Sequence, residues 1–474
     1  MNQQRFLSVI VSAVIIVVFA ITIYGQDNDF KQFAFKEIDK QRSDLIEIAD
    51  AIWEFAEIEL QEKQSSELLA DYLEKAGFEV KRGVAGLETA FTATWGNGNP
   101  RIGILAEYDA LPGLSQKKGI AEKTPLVEGG AGHGCGHNIY GTACAGAAIA
   151  LKKLMEQQSI SGTIVFYGCP AEETVVGKVI MAKAGLFDDL DAAITWHPGL
   201  KTKVTLTSSL ALNSFEVGFS GKTAHGAADP WNGRSALDAL EMFHFGINLL
   251  REHIKPTVRI HYIVKNGGAA PNVVPDHAKG WYYVRDVTRE GVKDTYRRIM
   301  NIAEGAAKAT ETELKVRLIT GVHDELVNME IAKAHYANLK LVGPPEFTDE
   351  EQNFAKSIQK YLGIEEKGIR TGIESFEIDP AGRGSTDVAE VSRIVPLAEF
   401  SVAMGPADGP WHNWVVVSCG ATSIAHKAMM TAAKTLSATT IDLLTDPALL
   451  DRAKKEFEEK MAGKKYVSPL DEMQ

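Results

Sequence analysis

The hydrophobic pattern of the chain alternates between short β-rich runs and longer stretches with helical spacing. We predict strands at Ile102–Ala106, Thr163–Tyr167 and Ala192–Trp196, with helices between them at Thr142–Met155 and Val175–Lys183. Strands that alternate with helices along a chain form largely parallel sheets that are covered by those helices. The pattern therefore predicts an α/β domain with a mostly parallel sheet flanked by helices.

The pattern changes between about residues 210 and 322. Its order there is strand, helix, strand, strand, helix, strand, which is the split βαβ arrangement of a ferredoxin-like α+β domain. Helical patterns then return at Phe354–Leu362 and Ala421–Leu444. We therefore predict that residues 210–322 form a smaller domain inserted into a larger one, which consists of residues 26–209 and 323–474.

The N-terminal segment is uncharged and apolar from residue 6 to residue 24 and follows Arg5. Such a run is typical of a signal-peptide core or a short membrane anchor. No basic stop-transfer cluster follows, and a small residue precedes a polar start at Gly25-Gln26. We therefore expect residues 1–25 to be a cleaved signal peptide and the mature protein to be periplasmic or secreted. The alternative is an anchored protein that meets the membrane only through residues 6–24.

Charge and cysteine content exclude several classes of protein. The 474 residues include 50 Lys and Arg against 62 Asp and Glu, so the formal net charge is -12 at pH 7. A negative protein repels nucleic-acid phosphate at long range, and we predict no nucleic-acid partner. Four scattered cysteines are too few for a disulfide framework.

Possible metal ligands follow several of the predicted strands. Thiol, imidazole and carboxylate groups are the usual protein ligands of zinc and related ions, and of two adjacent glutamates one could bind metal while the other acts as a base. The first motif alone also fits a tight turn with a buried cysteine. The four motifs are Cys135-Gly136-His137, Pro170-Ala171-Glu172-Glu173, Trp196-His197-Pro198 and Trp411-His412-Asn413-Trp414.

Six motifs in the same order resemble those of the di-metal aminoacylase and carboxypeptidase family. The similarity is to its amidohydrolase branch, which includes indole-acetyl-amino-acid hydrolases, hippurate hydrolases and the p-aminobenzoyl-glutamate hydrolases. Asn138, where many relatives have Asp, is similar to the B-type chains of the last group. The motifs are Glu107-Tyr108-Asp109-Ala110-Leu111-Pro112, Cys135-Gly136-His137, Pro170-Ala171-Glu172-Glu173, Trp196-His197-Pro198, Gly221-Lys222-Thr223-Ala224-His225 and Ala270-Pro271-Asn272-Val273-Val274-Pro275.

The resemblance implies a centre of two divalent metal ions, zinc or manganese, with cobalt as a further choice. It implies that Glu172 is the general base and that Glu107 and Asp109 support the ligands rather than bind the metal. The larger domain is then the catalytic one. The implied ligands are Cys135, His137, Glu173, His197 and His412.

The resemblance also assigns a role to the insert as a lid or dimerisation domain. His225 would reach the active site of a partner chain and stabilise the oxyanion. Asn272 and Arg285 would bind the substrate, because an arginine suits the carboxylate of the released amino acid. The simpler interpretation of Arg285 is a surface ion pair. The chain would form a homodimer or a heteromer with a related chain.

The predicted function is metal-dependent hydrolysis of the amide bond in small N-acyl or N-aroyl amino acids, with p-aminobenzoyl-glutamate as one candidate. A metallo-dipeptidase or carboxypeptidase of the same family is the first alternative. A second is a cysteine amidase in which Cys135 is the nucleophile and His137 its base. A third is a non-catalytic protein that keeps the fold for partner binding.

Overall fold

The computed structural model describes residues 28–378 and 384–472. The predicted signal peptide or anchor lies outside these residues. Among the helices in the described ranges, none combines the length and the apolar character needed to cross a bilayer.

The described elements are helices α1–α13 and strands β1–β11. The helices are α1 (28–40), α2 (Arg42–Phe55), α3 (Lys63–Lys75), α4 (His137–Gln158), α5 (Gly177–Lys183), α6 (Ala236–Leu250), α7 (Arg289–Thr310), α8 (Met329–Val342), α9 (Asp349–Leu362), α10 (Val388–Ser392), α11 (Trp414–Gly420), α12 (Ser423–Thr445) and α13 (Pro447–Met461). The strands are β1 (Glu79–Arg82), β2 (Phe91–Asn97), β3 (Arg101–Glu107), β4 (Gly162–Cys169), β5 (Ala192–Gly199), β6 (Lys203–Thr205), β7 (Ala211–Ser220), β8 (Arg259–Asn266), β9 (His277–Asp286), β10 (Glu313–Val322) and β11 (Leu397–Ala403).

The larger sheet has seven strands in the order β1-β2-β4-β3-β5-β11-β6. Its four central strands, β4, β3, β5 and β11, are parallel to one another. The edge strands β1, β2 and β6 are antiparallel to their neighbours. The prediction of an α/β fold with a mostly parallel sheet is confirmed, with antiparallel strands added at both edges.

Helices cover both faces of this sheet. On one face α4 packs against β3 and against α12, and Gly141 brings α4 so close to β3 that a Cβ atom there would lie 2.7 Å from the Glu107 carbonyl oxygen. On the other face, α5 and α10 contribute Met181 and Val391 to a second apolar cluster with Leu105. Every residue of β4 is buried, as expected for a central strand between two helical layers.

Residues 211–322 form a separate four-stranded antiparallel sheet in the order β10-β7-β9-β8. Helices α6 and α7 pack on it around Phe215, Phe243 and Tyr282. The predicted ferredoxin-like element order is therefore present. The division of the chain into domains at residues 210 and 322 stays a prediction.

Two helices begin elsewhere than the sequence pattern predicts. Gly136 adopts a left-handed conformation (φ 78°) and α4 begins at the next residue, so His137 and Asn138 lie in its first turn rather than in a loop. Val175 is also left-handed (φ 53°), which delays the start of α5 to Gly177. Both shifts reflect local backbone conformations that hydrophobic spacing does not encode.

Candidate metal centre and active site

The predicted site residues of the larger sheet meet at the carboxyl ends of its central strands. Glu107 ends β3, the Pro170-Ala171-Glu172-Glu173 turn follows β4, and His197 lies near the end of β5. Of these residues, Glu172, Glu173 and His197 border a cleft of about 480 Å³ that also contacts Arg285 on β9. This is the edge at which open α/β sheets place their ligands.

His137 is fully buried and is held by carboxylates on both sides of its ring. Its Nδ1 lies 2.9 Å from Asp109 Oδ1, while its Nε2 lies 3.3 Å from Glu107 and 3.9 Å from Glu172. Asp109 also accepts a hydrogen bond from the backbone N–H of Glu173, at 2.9 Å. Asp109 therefore fixes His137 through Nδ1 and leaves Nε2 on the side of Glu107 and Glu172, with no hydrogen-bond partner among the described residues.

Cys135 lies between His197 and Trp411. Its Sγ is 3.4 Å from His197 Nε2, and Trp411 Nε1 donates a hydrogen bond to the sulfur at 3.2 Å. The other ring nitrogen of His197 donates to the Pro198 carbonyl at 2.6 Å. That bond leaves Nε2 of His197 directed at the sulfur, which is the orientation that a metal ligand needs.

The structure brings the five predicted ligands into two groups that share Cys135. One group is Cys135, His137 and His197, and the other is Cys135, Glu173 and His412; within each group the possible ligand atoms lie within 4.8 Å of one another. His412 Nε2 is 3.4 Å from Glu173 Oε2. One thiolate between two such groups suits two adjacent cations.

The chemistry of these side chains fits a cationic group. Glu107 Oε2, His137 Nε2 and Glu173 Oε1 are buried and have no hydrogen-bond partner among the described residues. Burial raises the pKa of Glu172 to about 7, with a further contribution from the charge of Glu107, and burial raises the pKa of Asp109 to about 6. Buried carboxylates so close together favour a divalent cation among them.

The turn that carries the two glutamates is held by Glu62, which the sequence analysis did not single out. Ala171 is left-handed (φ 55°), and its backbone N–H donates to Glu62 Oε1 at 2.8 Å. Thr89 donates to the other oxygen at 2.9 Å. Because the first of these contacts spans 109 residues, no local motif could have indicated it.

Two backbone carbonyls explain why an asparagine occupies position 138. Its Nδ2 donates to the carbonyl oxygens of Ala49 and Gly420, at 3.2 and 2.9 Å. An aspartate at this position would present an acceptor to both oxygens. Asn138 therefore ties α4 to α2 and α11 rather than taking part in the chemistry of the cleft.

The insert residues fall into two places. Arg285 lies in the cleft with its guanidinium carbon 5.4 Å from the centre of the Tyr283 ring, and its buried Nε has no hydrogen-bond partner in the described part of the chain. His225 and Asn272 lie together on exposed turns, where Gly226 N donates to the Asn272 carbonyl at 2.8 Å. Neither of them borders the cleft of its own chain. The structure thus places Asn272 outside the cleft to which Arg285 belongs.

The remaining histidines lie outside the two ligand groups. Among the described residues none of them belongs to a group of three possible metal ligands. Fully buried His133, which the sequence analysis left out, bonds to the Ile52 carbonyl. The others are His244, His253, His261, His277, His323, His335 and His426.

The fold and the site place a cluster of possible metal-ligand side chains at the carboxyl edge of an α/β sheet, and the family to which the chain belongs makes it a hydrolase. Residues 103–415 match the sequence profile of Peptidase family M20/M25/M40, and the chain belongs to this family. Its members hydrolyse amide bonds, and so does this enzyme.

Several relatives match almost the full length of the chain. It is 41% identical to the B-type chain of p-aminobenzoyl-glutamate hydrolase from Escherichia coli K12, over 92% of this chain and 95% of that protein. It is 29% identical to Xaa-Arg dipeptidase of Mus musculus, over 92% and 94%.

Solved structures share the fold. An aminobenzoyl-glutamate utilization protein from Klebsiella pneumoniae superposes with a TM-score of 0.60 at 17% identity, covering 86% of this chain and 97% of that one. A dinuclear metal-binding M20 peptidase from Bacillus subtilis gives 0.57 at 18%, covering 86% and 99%.

Proposed function

We propose that this enzyme hydrolyses the amide bond of N-acyl or N-aroyl amino acids with the help of two divalent metal ions. The observation that carries the proposal is the buried carboxylate of Glu172 beside two ligand groups that share Cys135. Zinc or manganese suits this mixture of thiolate, imidazole and carboxylate, and cobalt is a further choice. Cys135, His137, Glu173, His197 and His412 would hold the ions.

Glu172 carries the proton transfers. When bound, the cations supply a lowered pKa for a water molecule and polarise the scissile carbonyl. Glu172 accepts the proton of that water and then delivers it to the leaving amine nitrogen. A pKa that burial raises to about 7 suits a group that must both accept and donate a proton near neutral pH.

Arg285 supports a substrate with a free carboxylate. Its guanidinium borders the cleft, and burial lowers its pKa without removing its charge. A planar guanidinium binds a carboxylate through two parallel hydrogen bonds. We infer that the released amino acid carries this carboxylate, with Asn272 as a second contact that a partner chain supplies.

A cysteine amidase fits the surroundings of Cys135 less well. Burial raises the pKa of the Cys135 thiol well above its usual value, and the charges of Glu173 and Glu172 raise it further. A nucleophilic thiolate needs positive surroundings instead. A bound cation would supply them, which is why we favour the metal-dependent reaction.

A substrate panel tests the proposal and its dipeptidase alternative. Metal-loaded enzyme is assayed with p-aminobenzoyl-glutamate, hippurate, N-acetyl-glutamate and dipeptides that end in arginine or glutamate. We expect the aroyl and acyl amino acids to be cleaved and their α-carboxamide analogues to be poor substrates. Turnover of dipeptides alone would favour the alternative, and equal turnover of acid and amide would exclude the role of Arg285.

The insert is proposed to associate with a second chain. Exposed apolar side chains lie on α6 (Phe245, Leu249) and on the edge strand β8 (Ile263, Val264), and a strand edge readily pairs with another chain. The E. coli hydrolase is named as an enzyme of two kinds of chain, and this protein matches both its B-type and its A-type chain. The partner is therefore a second copy or a related chain, and sedimentation of the purified protein alone distinguishes them.

We also propose that the enzyme is exported. The support is the uncharged run at residues 6–24 and the polar start after Gly25. N-terminal sequencing of the protein from a secreting host is expected to start near Gln26. An intact N-terminus in the membrane fraction would favour the anchor.

A further inference from the structure

A fully buried lysine lies beneath the cleft and takes no part in the chemistry described above. Lys178 on α5 donates from Nζ to Glu107 Oε1 and to Asp387 Oδ1, each at 2.6 Å. Its backbone N–H donates to the other oxygen of Asp387 at 2.8 Å. The lysine thus connects the end of β3 to the start of α10.

A buried ion cluster of this kind is a poor device for stability. Removing an ammonium and two carboxylates from water costs several kcal/mol per ion, and apolar residues of the same volume often stabilise a protein equally well. The two carboxylates hold the pKa of Lys178 well above its usual value despite burial, so the lysine stays charged. A charge kept in such a place calls for a role in the neighbouring site.

Glu107 and Asp109 contact opposite nitrogens of the same imidazole. Asp109 contacts Nδ1, whereas Glu107 Oε2 lies 3.3 Å from Nε2, the nitrogen that also lies 3.9 Å from Glu172. Glu107, His137 and Glu172 form a third group whose possible ligand atoms lie within 4.8 Å of one another. Glu107 is therefore on the metal side of His137, not behind it.

We propose that Lys178 is a positioning residue that holds one oxygen of Glu107 and so turns the other, as a further carboxylate, toward the metal centre. Asp387 fixes Lys178 in turn, and the residues just before Asp387, Gly384–Thr386, border the cleft. Lys178 would thus connect the part of the cleft formed by Gly384–Thr386 with the metal centre. This inference rests on the proposed metal-dependent function.

The direction in which metal affinity changes when Lys178 is removed distinguishes a positioning role from a purely electrostatic one. If Lys178 acted only through its charge, its removal would strengthen cation binding, because a nearby positive charge repels metal ions. If it positions Glu107, Lys178→Met weakens binding, by about tenfold to a hundredfold, the usual loss for residues that orient metal ligands. Lys183→Met is the matched control, since Lys183 lies on the same helix but pairs with Asp471 at the surface.

The experiment measures Co²⁺ affinity by competition with a chelating indicator and records the visible d–d spectrum of the cobalt protein. We expect Lys178→Met and Glu107→Gln to weaken binding and to change the spectrum, and Lys183→Met to leave both unchanged. Glu107→Gln keeps a hydrogen-bond acceptor for Lys178 and serves if the methionine variant does not fold.

Unchanged affinity and spectrum in Glu107→Gln would overturn the inference, as would tighter binding in folded Lys178→Met. Failure of the wild-type enzyme to bind Co²⁺, Zn²⁺ or Mn²⁺ would instead overturn the proposed function itself. The two failures are therefore distinguishable.

Discussion

Two buried glutamates, one beside the cleft and one in the insert, show opposite electrostatic surroundings. Burial raises the pKa of Glu62 to about 7, and the charge of Asp109 adds to this effect. Burial also acts on Glu216 of β7, but hydrogen bonds from Lys279 and Arg317 hold its pKa below the usual value. The insert neutralises its carboxylate from within, whereas the cleft lacks basic side chains in proportion to its acids.

The difference indicates which part of the molecule depends on something from outside the chain. The described residues supply one buried lysine, Lys178, against the carboxylates of the cleft, and a divalent cation would balance the rest. The insert needs no such ion for its own core. The proposed association with another protein chain rests instead on the exposed His225 and apolar surface of the insert.

The largest expected effect comes from removing one charge of the cleft without changing its shape. Glu172→Gln keeps the size of the side chain but removes the base, so kcat falls by about two to four powers of ten. Metal content, measured by elemental analysis, stays near that of the wild type because Glu172 is not one of the five proposed ligands. Loss of metal together with activity would show that Glu172 is a ligand and would contradict its role as base.

A second large effect is expected at the residue that both ligand groups share. Cys135→Ser replaces a thiolate by a much weaker ligand, so metal is lost and activity returns in part when excess metal is added. Cys419→Ser, at a buried cysteine outside the cleft, is the control. An enzyme that resists chelators but is abolished by iodoacetamide would exclude the metal mechanism and favour Cys135 as nucleophile.

The proposed action of His225 in the active site of a partner chain is tested by mixing two inactive variants. If His225 acts in the site of a partner copy, a dimer of His225→Ala and Glu172→Gln chains holds one complete site. Random exchange then restores about a quarter of wild-type activity. No recovery, despite exchange shown by mass spectrometry, would contradict action between identical chains.

The smallest expected effect is on the pH dependence of stability, which should differ in sign between Glu62 and Glu216. Because the folded pKa of Glu62 lies above its unfolded value, its stabilising contribution is complete below pH 4.5 and is lost as the pH rises to about 7. Relative to Glu62→Gln, the wild type thus loses up to about 1.4 kcal/mol of unfolding free energy per pH unit in this window. Glu216 has the opposite sign, so relative to Glu216→Gln the wild type loses stability as the pH falls below 4.5. Urea unfolding at several pH values measures both, and parallel pH profiles would contradict the comparison.

Sequence reasoning reached the parts of this molecule that local pattern encodes. Short β-rich runs and helical spacing predicted the central strands and the helices between them, and several ligand types appear in short motifs at strand ends, such as Pro170-Ala171-Glu172-Glu173. Lys178 lies in a stretch whose sequence is typical of an ordinary helix. Its partners, Glu107 and Asp387, are 71 and 209 residues away along the chain. Such contacts are properties of the folded sheet, and no window of sequence contains them.

The strand order of the larger sheet also determines which parts of the molecule can be completed first during translation. Strand β11 lies between β5 and β6, although the whole insert separates it from them along the chain. The four strands of the insert have all been made by Val322, whereas the gap beside β5 is filled only when Ala403 has emerged. Domains generally fold as units during translation. If the insert folds as such a unit, a growing chain carries a finished insert beside an open sheet, and the site proposed to bind metal is completed last, by His412.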